Sequence, residues 1–165
     1  MDTAARVGGL AAIAGGILRI ANAFTGELPQ GTLAVLYLVT DVLLLAGVAG
    51  LWLTRRAQMG WAGSAGLAIF VLGILTVRAS AFGIGSYPLG AGVALIGLAV
   101  YSIDALIRRA SPWAPVFWLA AVPPAVTATL GVAPFAMSAL AAVAFGAGFM
   151  LMGIALLRDS RSGAT

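Results

Sequence analysis

Apolar residues run through the chain in long blocks, cut by short polar or turn-forming breaks. Six such blocks cover 7–24, 33–54, 61–82, 89–107, 113–130 and 135–157. A helix needs about 20 consecutive apolar residues to cross the hydrocarbon core of a bilayer, so each block is predicted to be a membrane-spanning helix. The breaks carry turn chemistry: Gly26-Glu27-Leu28-Pro29-Gln30-Gly31, Arg55-Arg56-Ala57-Gln58-Met59-Gly60, Gly83-Ile84-Gly85-Ser86-Tyr87-Pro88, Arg108-Arg109-Ala110-Ser111-Pro112 and Gly131-Val132-Ala133-Pro134. The predicted fold class is all-α. It is a polytopic transmembrane bundle of six helices in one domain over residues 1–165, built as three tandem two-helix hairpins.

A repeat underlies the hairpin reading. Gly16-Ile17-Leu18-Arg19-Ile20-Ala21-Asn22-Ala23-Phe24 resembles Gly73-Ile74-Leu75-Thr76-Val77-Arg78-Ala79-Ser80-Ala81-Phe82 with one insertion. Arg55-Arg56-Ala57 followed by Trp61-Ala62 returns as Arg108-Arg109-Ala110 followed by Trp113-Ala114. Copies in the same orientation would form a parallel internal repeat, a plan some transporters use.

Small residues predict which faces pack, because helices in lipid associate through close backbone approach. Gly8, Ala12, Gly15, Arg19 and Asn22 share one face of the first helix, while Leu10, Ile13, Ile17, Ile20 and Phe24 form a stripe suited to lipid. Gly63, Gly66, Gly73 and Ser80 line the third helix, and Gly90, Ala94, Gly97, Tyr101, Asp104 and Arg108 the fourth. The last helix has two small stripes, Ala139/Ala142/Gly146/Gly153 and Ala141/Ala144/Gly148/Ala155, and is expected to touch neighbours on both sides.

Charge orients the bundle. Arg6, Arg55, Arg56, Arg108, Arg109, Arg158 and Arg161 all fall at one end, while the opposite loops hold no arginine and only Glu27. Excess arginine marks the cytoplasmic side, which puts both termini in the cytoplasm and the protein in a cell membrane, plasma or bacterial inner. Arg6, the first apolar run and Ala21-Asn22-Ala23 also fit a secretory signal with a small-residue cleavage site, but Arg19 interrupts that run.

Composition then removes most chemistry. Charged residues are 8% of the chain and apolar ones 62%, far from a soluble domain, where about a quarter of residues are charged. The chain has no His and no Cys, so imidazole and thiolate metal sites, disulfides and the usual haem ligation are absent. It has no Lys either, which excludes Schiff-base cofactors. No cofactor is therefore expected. The formal charge of +4 sits on arginines at helix ends, which points to lipid headgroups rather than nucleic acid. The expected partners are the bilayer and, through the glycine faces, a second copy or a larger membrane complex.

Polar residues inside a membrane are costly and usually pair or line a wet cavity. Arg19, Asn22, Asp41 and Arg78 are the ligand-binding candidates. Arg19 and Asp41 are expected at similar depth and are predicted to neutralise each other, as a clamp or as part of an outward-facing site. Arg78 is predicted to snorkel to the outer headgroups, or else to join Arg19 in favouring an anion. Tyr101 and Asp104 are secondary candidates: Asp104 precedes Arg108 by one turn, a spacing that supports a local ion pair. The estimated depths of Asp41 and Asp104 separate them by about 10 Å, too far for a proton-sharing carboxylate dyad. Pro123-Pro124 breaks the fifth helix, with Thr127 and Thr129 expected to satisfy the carbonyls this frees.

Three functions follow. A small transporter or permeation unit would use the outer polar site for a small polar or anionic solute. An accessory subunit would dock through the glycine faces. A lipid-modifying membrane enzyme would need a lipid-sized groove and a base near an interface.

Overall fold

The structure is a computed structural model that describes residues 3–25, 29–110 and 113–162. Six helices follow one another: α1 (Thr3–Asn22), α2 (Gln30–Arg55), α3 (Trp61–Ser80), α4 (Tyr87–Ile107), α5 (Trp113–Thr129) and α6 (Pro134–Ser162), with one 3₁₀ turn at Arg56–Gln58. Five of the six are long and apolar enough to cross a membrane, and the protein is a multi-pass membrane protein. The exception is α5. It has 17 residues and reaches about 26 Å, against about 30 Å of hydrocarbon core. The sixth span predicted at 113–130 is thus a helix, but a short one.

Consecutive helices pair as hairpins, α1 with α2, α3 with α4 and α5 with α6, and α6 also lies along α1. Glycine sets these distances. A Cβ on Gly8 would stand 2.6 Å from the Gly50 Cα, so α1 and α2 touch backbone to backbone. Gly16 and Gly146 do the same between α1 and α6, where each would drive a Cβ into the other's carbonyl oxygen at 2.5–2.6 Å. On the α3–α4 seam a Cβ at Gly66 would lie 2.6 Å from the Tyr101 backbone nitrogen. Close approach of this kind is the main source of helix attraction where lipid is as apolar as the side chains.

One prediction of facing needs correction. Leu10, Ile17 and Phe24 are exposed as expected. Ile13 and Ile20, however, pack over Gly153 and Gly146 of α6. Gly9 and Gly16 form a second small stripe on α1, one residue round from the first, and α6 seats there. The two small stripes of α6 serve two neighbours, since Gly146 and Gly153 meet α1 while Gly148 lies beneath the Trp118 indole of α5.

The α2–α3 seam is different. Their backbones approach closely at few positions, and both helices contribute large side chains to the buried core: Leu44, Val48 and Leu51 of α2, and Leu67, Phe70 and Ile74 of α3. An aromatic knot closes the middle of the bundle. Phe70 lies 5.8 Å from Phe149, and Trp118 meets Phe149 edge-on at 5.1 Å and Tyr101 at 5.7 Å, centroid to centroid.

The arginine-rich ends of α2, α4 and α6 meet, because Arg55 bonds both the Asp159 carboxylate at 2.6 Å and the Ala110 carbonyl at 3.4 Å. Gly8 of α1 lies at this same end beside Gly50, so both ends of the described chain share one side. The aspartate of the pair, Asp159, is a sequence-remote partner that helix reading alone did not single out.

In α5 the threonine hydroxyls do not reach the carbonyls the prolines free. Prolines at 123 and 124 remove the donors to residues 119 and 120, one turn earlier. Thr127 instead donates to the Pro123 and Pro124 carbonyls at 3.1 and 3.0 Å, and Thr129 to Ala125 at 2.7 Å.

Candidate functional site

Two polar clusters stand at opposite ends of the apolar middle. The outer one is built on the last turn of α1, the outer third of α2 and the last turn of α3. Each helix contributes for a local reason. Arg19 and Asn22 are one turn apart and share the face of α1 that carries Gly15, so they point into the bundle rather than to lipid. Thr40 and Asp41 follow one turn before Leu44 on α2, at the level where α1 ends.

Asp41 pairs with Arg78 across the α2–α3 seam, Oδ2 to Nε at 2.5 Å. The side chains keep 13% and 26% of their exposure, so this is a largely buried pair. Neither atom makes a well-directed hydrogen bond. The contact is a charge–charge approach whose angles fall outside hydrogen-bond geometry, and we read it as an ion pair. The expected Arg19–Asp41 pair does not form, and Arg78 does not snorkel away from the bundle. The physical reason is the seam itself. Arg78 lies off the glycine stripe that faces α4, which turns it toward α2, and a wide seam leaves room for a guanidinium.

Arg19 takes another position. Its guanidinium carbon stands 5.8 Å from the centre of the Phe145 ring of α6, within cation–π range. It makes no ion pair among the described residues. Glu27, the acidic residue of the α1–α2 break, lies outside the described residues.

Asn22 is 5% exposed and donates through Nδ2 to the Thr40 hydroxyl at 3.0 Å. The Thr40 hydroxyl in turn donates to the Leu36 carbonyl at 2.8 Å. The Asn22 Oδ1 is buried with no donor among the described residues. A buried acceptor left unmade costs roughly 1–3 kcal/mol, so this oxygen is a place where a hydrogen-bond donor would be stabilised. Thr40 was not legible as a site residue from sequence. Its only signal was a hydroxyl beside an intramembrane aspartate.

The inner cluster ties α4 to the start of α3. Asp104 accepts from the Gly60 backbone N–H at 2.9 Å, which caps α3, and from Arg108 Nε at 3.1 Å. A Cβ on Gly63 would meet its Oδ2, which explains a glycine there. The carboxylate therefore sits at the positive end of the α3 dipole with a guanidinium on its other oxygen. Tyr101 is 5% exposed and packs on Trp118. Deeper in the core, Ser102 Oγ and Trp118 Nε1 are buried without partners among the described residues.

A cleft of about 650 Å³ opens at the arginine-rich end between α5 and α6, walled by Trp113, Phe117, Leu151 and Ile154 and rimmed by Arg55, Arg158 and Asp159. Sequence reasoning missed it because its lining comes from segments distant in sequence, Arg55 at the end of α2, Ala110 after α4 and residues of α5 and α6.

No group of three or more metal-ligating side chains occurs among the described residues. No protein-family model, curated protein or solved structure matches the chain.

Proposed function

We propose that this membrane protein binds, and passes, a small solute carrying an anionic group and a hydrogen-bond donor at the outer cluster. The observation that carries the reading is Arg19: a guanidinium held on an aromatic ring, with no ion-pair partner among the described residues, beside a pair that is already neutral. An anion there would balance the charge. The orphan Asn22 oxygen, one turn away on the same face, would take the donor. Asp41–Arg78 would act as a latch on the α2–α3 seam, where the two backbones approach closely at few positions, opening when the solute competes for Arg78.

The accessory-subunit reading is less well supported. It needs free glycine faces, and Gly8, Gly16, Gly66, Gly146 and Gly153 are each occupied by the chain's own helices. The lipid-enzyme reading needs an available base. Asp104 already serves Gly60 and Arg108, and Asp159 serves Arg55.

The test is uptake into proteoliposomes of a panel of small anions: chloride, acetate, lactate and glycolate. We expect an anion with a donor group to enter faster than in protein-free vesicles. Arg19→Gln should abolish that uptake, and Asn22→Ala should remove the preference for the donor-bearing solute. Uptake equal to protein-free vesicles across the panel, unchanged by Arg19→Gln, would overturn the reading.

A further inference from the structure

We propose that the α5–α6 cleft at the arginine-rich end holds one anionic phospholipid from the adjacent leaflet. Its phosphate would sit on Arg158 and an acyl chain would lie along Phe117, Leu151 and Ile154.

Three observations converge. The first is charge. Arg55 is committed to Asp159 and to the Ala110 carbonyl, so it neutralises the acid on the rim. Arg158 is exposed and makes no ion pair among the described residues. One unbalanced guanidinium remains at the mouth, at the end the arginines assign to the cytoplasm, the leaflet that carries anionic lipid.

The second is polarity along the cleft. The charged groups occupy only its outer rim, and below them the walls are aromatic and aliphatic. Trp113, 67% exposed, stands at the mouth, where an indole suits the headgroup boundary. A site charged at one end and apolar at the other matches an amphiphile.

The third is size and shape. About 650 Å³ falls in the range of small-molecule sites. From Leu151 to Arg158 the α6 wall rises only about 10 Å. That is too short to seat a membrane-crossing helix of a partner, which spans about 30 Å, but it accommodates a headgroup and the upper part of an acyl chain. The short α5 begins at Trp113 while α6 continues to Ser162, and the cleft lies where the start of α5 meets the last turns of α6. This site is independent of the outer cluster, so failure of one reading leaves the other standing.

Native mass spectrometry of the full chain in detergent, incubated with phosphatidylglycerol and phosphatidylcholine of the same acyl chains, tests it. We expect phosphatidylglycerol to be retained in preference. Arg158→Gln should weaken its binding roughly fivefold, the equivalent of about 1 kcal/mol for one arginine near a membrane surface. Ile154→Trp, which fills the cleft, should lower retention of both lipids, and Arg161→Gln, one turn further out, should leave the preference intact. Equal retention of the two lipids, no change in Arg158→Gln, or an equal loss in Arg161→Gln would overturn the proposal. So would retention of inorganic phosphate in place of lipid, because the apolar wall would then contribute nothing.

Discussion

Replacing Gly146 by alanine should loosen the α1–α6 seam although it adds a single methyl group. The new Cβ would stand 2.6 Å from the Gly16 carbonyl oxygen and 2.7 Å from Ile20 Cγ1, where ordinary contact begins at 3.4 Å. The shortfall is about 0.8 Å, and the nearer obstacle is backbone, which cannot swing aside. Overpacking of this kind costs about 1–3 kcal/mol, and rigid neighbours put it near the upper figure. Alanine returns about 1 kcal/mol through its higher helix propensity, so Gly146→Ala should lose about 2 kcal/mol. Gly92 supplies the control. Its Cβ would meet nothing within 4 Å, so Gly92→Ala keeps only the propensity gain and should stabilise by up to about 1 kcal/mol. The same chemical change thus has opposite signs at two helical positions. Unfolding in mixed detergent micelles, followed by tryptophan fluorescence, reads both. The double variant Gly16→Ala/Gly146→Ala should cost less than the sum of the singles, because one separation of the helices accommodates both methyl groups. The reasoning is refuted if Gly146→Ala and Gly92→Ala are equally stable.

Two further outcomes follow from the same geometry. Trp118→Ala removes a side chain that is 2% exposed and edge-on to both Tyr101 and Phe149; it should cost about 3–5 kcal/mol in the same unfolding assay. Ala133 holds a left-handed φ of 43° before α6, so Ala133→Gly should raise stability by up to about 1–2 kcal/mol, read as a higher midpoint of thermal unfolding.

Helix existence was legible in the sequence because membrane helices announce themselves by length and apolarity, and five of the six helices meet both conditions. The α3–α4 interface was legible too. The stripes Gly63/Gly66/Gly73 and Gly90/Ala94/Gly97 face each other as small residues in lipid should. The Asp104–Arg108 pair came from i,i+4 spacing alone. Partner choice between helices distant in sequence was less legible. Depth arithmetic matched Asp41 to Arg19 and left Arg78 to the headgroups, but depth cannot say which guanidinium faces the carboxylate. That choice depends on the order of helices round the bundle. Putting α6 beside α1 gives Arg19 the Phe145 ring, and putting α3 beside α2 gives Asp41 to Arg78. The second glycine stripe of α1 was hidden for the same reason, since Gly9 and Gly16 make sense only once α6 is known to pack there.

The central claim is that Asp41 is held by Arg78 across the α2–α3 seam while Arg19 has no ion-pair partner among the described residues. A double-mutant cycle on unfolding free energy tests it most directly, with Asp41→Asn, Arg78→Gln and Arg19→Gln alone and in pairs. Groups in direct contact couple by about 0.5–3 kcal/mol, and groups without shared partners by far less. The account predicts a coupling above about 1 kcal/mol between Asp41 and Arg78, and a smaller one between Asp41 and Arg19. A larger coupling to Arg19 than to Arg78 would contradict it, because Arg19 would then be the guanidinium committed to Asp41 and could not be the one that receives an anion.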